Sequence, residues 1–334
     1  MKITIIGAGS WGTALAMVLS GNGHKVTCWT IEQDVIDDVK SNGQNSKYLR
    51  DILVPNTIDF TMDLEKALKN TELIVNALPS QVSRKVIPDI VEYLKDNQPV
   101  WVTVSKGIEN NTFLRISEVI SQVGNIPKNN IAALSGPSHA EEVSRRIPTA
   151  IVAASTDIET AHLVQNVFKA DFFRVYSTDD IIGVELGGAL KNIIALAAGI
   201  CDGAGFGDNT KAALMTRGLV EINRLGVKMG ALSKTFAGLS GMGDLIVTCM
   251  SRHSRNRYVG EQIGKGRPLQ NVLDEMVMVA EGVKTTLSAY ELSRKENIEM
   301  PITEQIYLTL FENKAPEKAM YDLMTRASKI EDWG

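Results

Sequence analysis

Through the first half of the chain, short runs rich in Val and Ile alternate with longer stretches whose apolar residues recur at helical spacing. That alternation marks a parallel sheet covered by helices on both faces, whose strands read as near-continuous apolar runs. Strands are expected over residues 2–6, 25–29, 73–77, 100–104, 131–134, 149–153 and 172–175. Helices are expected over residues 12–20, 64–69, 82–94, 113–123, 140–145 and 158–169. Beyond Ser177 the strand signal stops and long helical patterns take over, broken at residues 203–207, Gly230, 238–243, 264–267 and Pro301. The pattern predicts an α/β domain over residues 1–177 and an all-α C-terminal domain over 178–334. No Pro-rich or Ser-rich linker divides them, and no repeat or low-complexity tract is present.

Residues 3–23 carry no charge and follow Lys2, so hydropathy alone permits a targeting segment or a membrane span. The glycines decide otherwise. Gly7-Ala8-Gly9-Ser10-Trp11-Gly12 stands directly after the first strand and opens the first helix. Gly7 permits a tight turn, Gly9 lets a pyrophosphate approach the backbone, and Gly12 allows helix to pack closely on strand. The helix N-terminus adds unpaired N–H groups and partial positive charge. A ligand-free glycine turn is the bland alternative, and the strand before, helix after and second strand at 25–29 favour a Rossmann dinucleotide-binding domain over it. The turn after the second strand reads Thr30-Ile31-Glu32-Gln33-Asp34, without Lys, Arg or His. Glu32 is a candidate for the ribose 2′-hydroxyl of NAD, or simply the carboxylate that opens the next helix. The reading favours NAD and leaves NADP open.

Composition narrows the class. A chain of 334 residues with 44% hydrophobic residues can bury a large core. Thirty-five Lys and Arg against 39 Asp and Glu leave a net charge of -4, which supplies no basic field for nucleic acid. Cys28, Cys201 and Cys249 form no CxxC pair, which points to a reducing, cytoplasmic compartment. The four histidines, His24, His139, His162 and His253, show no ligand spacing, so no metal site is expected.

Ligands of open α/β sheets bind outside the carboxyl ends of the strands. Lys106 lies just past one such strand, either as a surface lysine or as a cation for an anionic substrate. Gly136 and Ser138 follow the next, where Ser138 with Glu141 also reads as a capping box. Lys191 shares a helix face with Gly187, Gly188, Ala195 and Ala198. A lysine alone among small residues leaves room for another backbone, a cofactor ring or a substrate, and is partly desolvated; the alternative is a snorkelling lysine at a tight helix contact. Asp244 follows a glycine-rich turn, and Ser254, Arg255 and Asn256 supply donors suited to phosphate, unless they are a solvated basic loop.

With these motifs the chain resembles the bacterial-type NAD(P)-dependent sn-glycerol 3-phosphate dehydrogenases nearly end to end. The likeness rests on Gly-Ala-Gly-Ser-Trp-Gly at 7–12, Ser-Lys-Gly at 105–107, Gly-Pro-Ser-His-Ala at 136–140, the run from Gly187 through Ala212, and Arg255-Asn256. It implies an oxidoreductase interconverting glycerol 3-phosphate and dihydroxyacetone phosphate for glycerophospholipid synthesis, with Lys191 as proton acceptor and donor. It also implies that Ser10, Trp11, Lys106, Ala140, Arg255, Val279 and Glu281 join the three glycines around NAD or NADP. Lys106, Gly136, Ser138, Lys191, Asp244, Ser254, Arg255 and Asn256 would hold the phosphorylated substrate. No nucleic acid, membrane span or metal is implied, and a homodimer through the helical half is an option that the sequence leaves open. The runner-up readings are a hydroxyacid dehydrogenase or ketoacid reductase of related architecture, and a dinucleotide-sensing regulator.

Overall fold

The computed structural model describes residues 1–95, 97–328, 330 and 331. Two compact units emerge, one of Met1–Ser105 with Ile116–Ile181, the other of Lys106–Arg115 with Ile182–Gly334. The Lys106 segment therefore belongs with the helical unit, although its sequence neighbours on both sides belong to the first.

The first unit opens with strand β1 (Lys2–Ile6), helix α1 (Ser10–Gly21) and strand β2 (Lys25–Trp29). Helix α2 (Gln33–Asn42) leads to the ribbon β3 (Gln44–Asn45) and β4 (Leu49–Leu53), then to the short strand β5 (Asp59–Thr61). After α3 (Leu64–Leu68) come β6 (Leu73–Asn76), α4 (Ser83–Leu94), β7 (Val100–Thr103) and α5 (Ile116–Gly124). The unit closes with β8 (Ile131–Ser135), α6 (Ala140–Val143), β9 (Thr149–Ser155), α7 (Ile158–Phe168) and β10 (Phe173–Thr178). Eight strands form one sheet in the order β10-β9-β8-β7-β6-β1-β2-β5. Ile6 pairs with Trp29 on one side and Asn76 on the other, so the order reverses at β1, where a doubly wound sheet leaves its ligand crevice. Ile3, Ile5, Leu73, Val75 and Val102 are fully buried, as two covered faces require.

Three features differ from the expected pattern. The sheet is not wholly parallel, because β9 runs antiparallel to β8; their link holds only the one-turn α6, too short for the covering crossover helix that a parallel pair needs. Helix α2 and strands β3 to β5 are absent from the expected set. The ribbon carries Arg50 and Asp51 within an otherwise apolar strand, and Asp51 takes a left-handed φ of 60°. Helix α5 begins at Ile116 rather than 113, since residues 108–115 form a hairpin with an Ile108–Arg115 bridge.

The second unit begins with α8 (Ile181–Gly203), α9 (Asp208–Lys228) and α10 (Ser233–Phe236). A π-helical turn, Leu239–Gly243, runs into α11 (Asp244–Met250), followed by α12 (Arg255–Gly264) and α13 (Leu269–Asp274). Helices α14 (Glu281–Lys295), α15 (Pro301–Phe311) and α16 (Pro316–Met324) complete it. Helix α8 has the length and hydropathy of a membrane span, yet 94% of that window is buried inside the protein, as in a core helix. Its close neighbour is α12: a Cβ on Gly199 or Gly203 would strike the carbonyls of Arg257 or Glu261, and one on Gly260 or Gly264 those of Leu196 or Ile200. Glycines one turn apart on both helices let the backbones meet.

Candidate active site

In the first unit, the Gly7 amide donates to the Trp29 carbonyl (2.9 Å), and Gly7 takes a φ of +105°, which favours glycine. A Cβ there would lie 3.0 Å from the Ala77 carbonyl oxygen, and one on Gly12 would collide with the Gly7 carbonyl. Gly9 differs, since nothing lies within 4 Å of where its Cβ would be. Ser10 and Trp11 begin α1, whose first turn carries no acidic residue. The Trp11 indole Nε1 is buried without a hydrogen-bond partner. Open space over Gly9, an N-terminus without opposing charge and an unpaired indole donor together suit a dinucleotide. Asn45, which pattern reading missed, braces this turn by donating to the Ala8 carbonyl (2.8 Å) and to Thr13 Oγ1 (2.9 Å).

Glu32 precedes α2 as its N-cap residue without capping it by side chain. Its carboxylate accepts from the Lys47 ammonium and from the Tyr48 hydroxyl (2.9 Å), and Lys47 also reaches Asp34 (3.0 Å). Ile31 beside it is 72% exposed. Gly136 has a φ of +144°, and a Cβ there would lie 2.9 Å from Ile151 Cα. The expected Ser138–Glu141 capping box does not form. The helix starts one residue later, with His139 at its N-cap and Ala140 as first residue, and Ser138 Oγ donates instead to the Gly136 carbonyl (2.9 Å).

The second unit gathers the lysines. Asp244, 2% exposed, accepts from Lys106 Nζ at Oδ2 (2.6 Å) and from Lys191 Nζ at Oδ1 (2.9 Å). Burial opposes ionisation of Asp244, but the two ammonium groups outweigh it and hold the carboxyl below the usual range. Lys191 also donates to Thr248 Oγ1 (2.5 Å), whose own hydroxyl bonds the Asp244 carbonyl one turn back (2.6 Å). Burial, aided by Lys106 and opposed by Asp244, brings Lys191 down to about 8. The space beside Lys191 is filled by backbone: a Cβ on Gly187 would lie 2.6 Å from the Ser240 carbonyl oxygen. The π turn thus packs against α8 and delivers Asp244 at its end.

A chain of carboxamides runs alongside. Asn192 Nδ2 donates to the Lys106 carbonyl (3.0 Å), Asn256 Nδ2 to Asn192 Oδ1 (2.9 Å), and the Gly282 amide to Asn256 Oδ1 (2.9 Å). Ser254 caps α12 by accepting from the Arg257 amide (3.2 Å), and Arg255 Nη1 donates to the Val279 carbonyl (3.1 Å). Val279 is half exposed and Glu281 opens α14. Pattern reading missed Thr248 and Asn192 as site residues; the four-residue spacing of Thr248 from Asp244 and the adjacency of Asn192 to Lys191 were the available signals. Among the described residues no group of His, Cys, Asp and Glu is arranged to hold a metal ion.

Two family models match in succession: the NAD-dependent glycerol-3-phosphate dehydrogenase N-terminus over residues 2–161 and the corresponding C-terminus over residues 180–321. A glycerol-3-phosphate dehydrogenase [NAD(P)+] from a Thermoanaerobacter species is 52% identical over 331 residues, 99% of each chain. Among solved structures, the glycerol-3-phosphate dehydrogenase of Coxiella burnetii superposes with a TM-score of 0.92 at 38% identity, covering 97% of this chain and 98% of that one. The Saccharomyces cerevisiae enzyme superposes with a TM-score of 0.80 at 26% identity, covering 98% of this chain and 99% of that one.

Proposed function

The chain belongs to the NAD-dependent glycerol-3-phosphate dehydrogenase family, and from that premise we propose that it interconverts sn-glycerol 3-phosphate and dihydroxyacetone phosphate, with Lys191 as general acid and base. The observation that carries the assignment is a buried lysine at about 8, held by Asp244 and Thr248. An ordinary lysine near 10.4 is almost wholly protonated at neutral pH, whereas one at about 8 is neutral in about a tenth of molecules at pH 7. In the oxidative direction neutral Lys191 takes the proton of the C2 hydroxyl, and in reduction its ammonium returns a proton to the oxygen that develops there. The dinucleotide, when bound, accepts or supplies the hydride at C2.

The remaining residues bind and orient. Asp244 and Thr248 fix Nζ of Lys191, so that proton transfer occurs along one direction. Lys106 brings a second positive charge to the same carboxylate and offers it to the substrate. Arg255, at the start of α12, suits the phosphate with its guanidinium fork, and binding at that remote group aligns the reacting carbon. Asn256 and Asn192 stiffen the link between Arg255 and Lys106. Gly136, Ser138 and Ser254 complete the substrate set, and Ala140, Val279 and Glu281 that of the dinucleotide. The pyrophosphate is received by Gly7, Gly9, Ser10, Trp11 and Gly12.

NAD is the favoured cofactor. After β2 two carboxylates, Glu32 and Asp34, face one ammonium, Lys47, and exposed Ile31 adds no charge. A 2′-phosphate there meets net negative charge, while a 2′-hydroxyl does not. Reduction yields the glycerol 3-phosphate on which glycerophospholipids are built, and three free cysteines suit a cytoplasmic setting.

The test is NADH oxidation with dihydroxyacetone phosphate by the wild type and Lys191→Ala. The variant is expected to lose about 100-fold to 10,000-fold in kcat. An inactive wild type, or an undiminished variant, overturns the assignment.

A further inference from the structure

Lys106 lies three residues past the end of β7, as its sequence position suggests, but its segment does not stay with the sheet. Lys106 opens the segment Lys106–Arg115, which leaves the first unit's chain at Ser105, rejoins it at Ile116 and groups with the helical unit, residues 108–115 of it forming a hairpin. The hairpin is closed by the Glu109 amide on the Leu114 carbonyl (3.0 Å) and the Phe113 amide on the Glu109 carbonyl (3.0 Å). Asn111 and Phe113 both take left-handed φ values, 68° and 60°, which an aromatic residue adopts only when its surroundings impose it.

The surroundings are specific. Ile108 is fully buried in the helical core, and Phe113 packs against the same core with Lys295 Nζ 5.5 Å from its ring centre. Ser288 of α14, itself fully buried, donates to Asn110 Oδ1 (2.9 Å) and lies 3.3 Å from the Ile108 carbonyl. At the hairpin's far end Arg115 makes an ion pair with Glu185 of α8, and each residue is only 7% exposed. A buried ion pair is a poor source of stability, since an apolar pair of similar volume often serves as well. What it supplies is one defined register for the groups it joins. Glu185 stands on the same helix as Lys191, so the pair ties the hairpin to the helix that carries the proton-transferring lysine.

We propose that Arg115, Glu185 and Ser288 are positioning residues for Lys106: they clamp the hairpin to the helical unit so that the Lys106 ammonium meets Asp244 at the site. The proposal rests on the reading of Lys106 as a substrate ligand. It places the two lysines and Asp244 in one body, with Lys106 held from both ends, at its carbonyl by Asn192 and through the hairpin by Arg115. Lys191 faces Asp244, Thr248 and Cys249 of α11 and Lys106 of the hairpin segment. A hairpin that drifts takes the Lys106 charge from Lys191 and leaves Asp244 to it alone, and both changes favour the ammonium form.

The experiment compares wild type, Lys106→Ala, the double variant Arg115→Met/Glu185→Leu, and Ser288→Ala by steady-state kinetics, pH profile and thermal unfolding. The double variant is expected to unfold close to the wild-type temperature, since apolar replacement of a buried ion pair is often neutral or stabilising. Its KM for dihydroxyacetone phosphate should rise about tenfold, its KM for NADH should stay within about twofold, and the acid limb of glycerol 3-phosphate oxidation should move to higher pH. Wild-type KM and an unmoved limb in a stable double variant overturn the positioning role. Should the double variant fail to fold, Ser288→Ala decides in the same way, with a smaller rise of about threefold expected. A Lys106→Ala enzyme with wild-type KM overturns the substrate role of Lys106 and the positioning role with it; a raised KM there with unchanged clamp variants overturns the positioning role alone.

Discussion

At the scale of single residues, the three glycines of the opening motif do separate work, and substitution can tell them apart. Gly12 lies where a Cβ would enter the Gly7 carbonyl, so Gly12→Ala must push α1 off β1 and is expected to cost about 1–3 kcal/mol in urea unfolding. Gly9 has a φ open to any residue and empty space where a side chain would go. Gly9→Val should therefore keep the wild-type unfolding midpoint and lose NADH binding by about 100-fold or more in a fluorescence titration, because the valine would fill the place proposed for the pyrophosphate. Equal loss of stability in both variants would contradict this division of labour. Asp244 offers a second test. Burial lowers Lys191 and the Asp244 carboxylate pulls it back up, so Asp244→Asn should lower it further. The acid limb of glycerol 3-phosphate oxidation, expected near pH 8 in the wild type, should move to lower pH while the plateau rate falls with the loss of orientation. A limb that moves upward, or not at all, would show that Asp244 does not act on Lys191 as the geometry requires.

At the scale of elements, the arrangement of the site depends on how near α12 can come to α8. Gly260→Ala places a methyl group against the Leu196 carbonyl, and the helices must part. The variant is expected to lose about 1–3 kcal/mol of stability and to raise the KM for dihydroxyacetone phosphate, since Arg255 and Asn256 begin the displaced helix. An unchanged KM in a folded Gly260→Ala enzyme would separate the packing of α12 from substrate binding. This contact also shows where sequence reading stops. The small residues around Lys191 signal close approach by something, and the glycine fingerprint and the strand runs are local patterns that stand in the chain order itself. That the approaching surface is the π turn and α12 depends on pairing between segments far apart in sequence, which no local periodicity encodes. The same limit explains the hairpin: Phe113 and Leu114 extend the apolar pattern of α5, and their removal from the helix follows from left-handed backbone at Asn111 and Phe113. The Ser138 capping box fails by one residue, and Glu32 is engaged by Lys47 and Tyr48, partners that lie beyond the turn from which its role was read.

At the scale of the whole molecule, a chain of net charge -4 offers anions only local places, backbone amides or partly buried cations, and the proposed ones fall in two units with cores of their own. The glycine fingerprint stands in the unit that also holds Trp11, Trp29 and Trp101, while the lysines and Asp244 stand in the other. Three of the four tryptophans stand in that unit, so the tryptophan fluorescence signal is weighted toward it. A ligand that binds the folded form alone stabilises it by RT ln(1 + [L]/Kd), about 2.7 kcal/mol at a hundred times Kd. NADH at that concentration should raise the urea midpoint of the tryptophan transition accordingly. NADPH at the same concentration should raise it less, because its 2′-phosphate meets Glu32 and Asp34 against the single charge of Lys47. Glu32→Gln removes one of those carboxylates and should narrow the difference between the two cofactors without requiring turnover. A larger shift with NADPH in the wild type would reverse the assigned preference, and a Glu32→Gln enzyme with the wild-type difference would move its origin away from this turn.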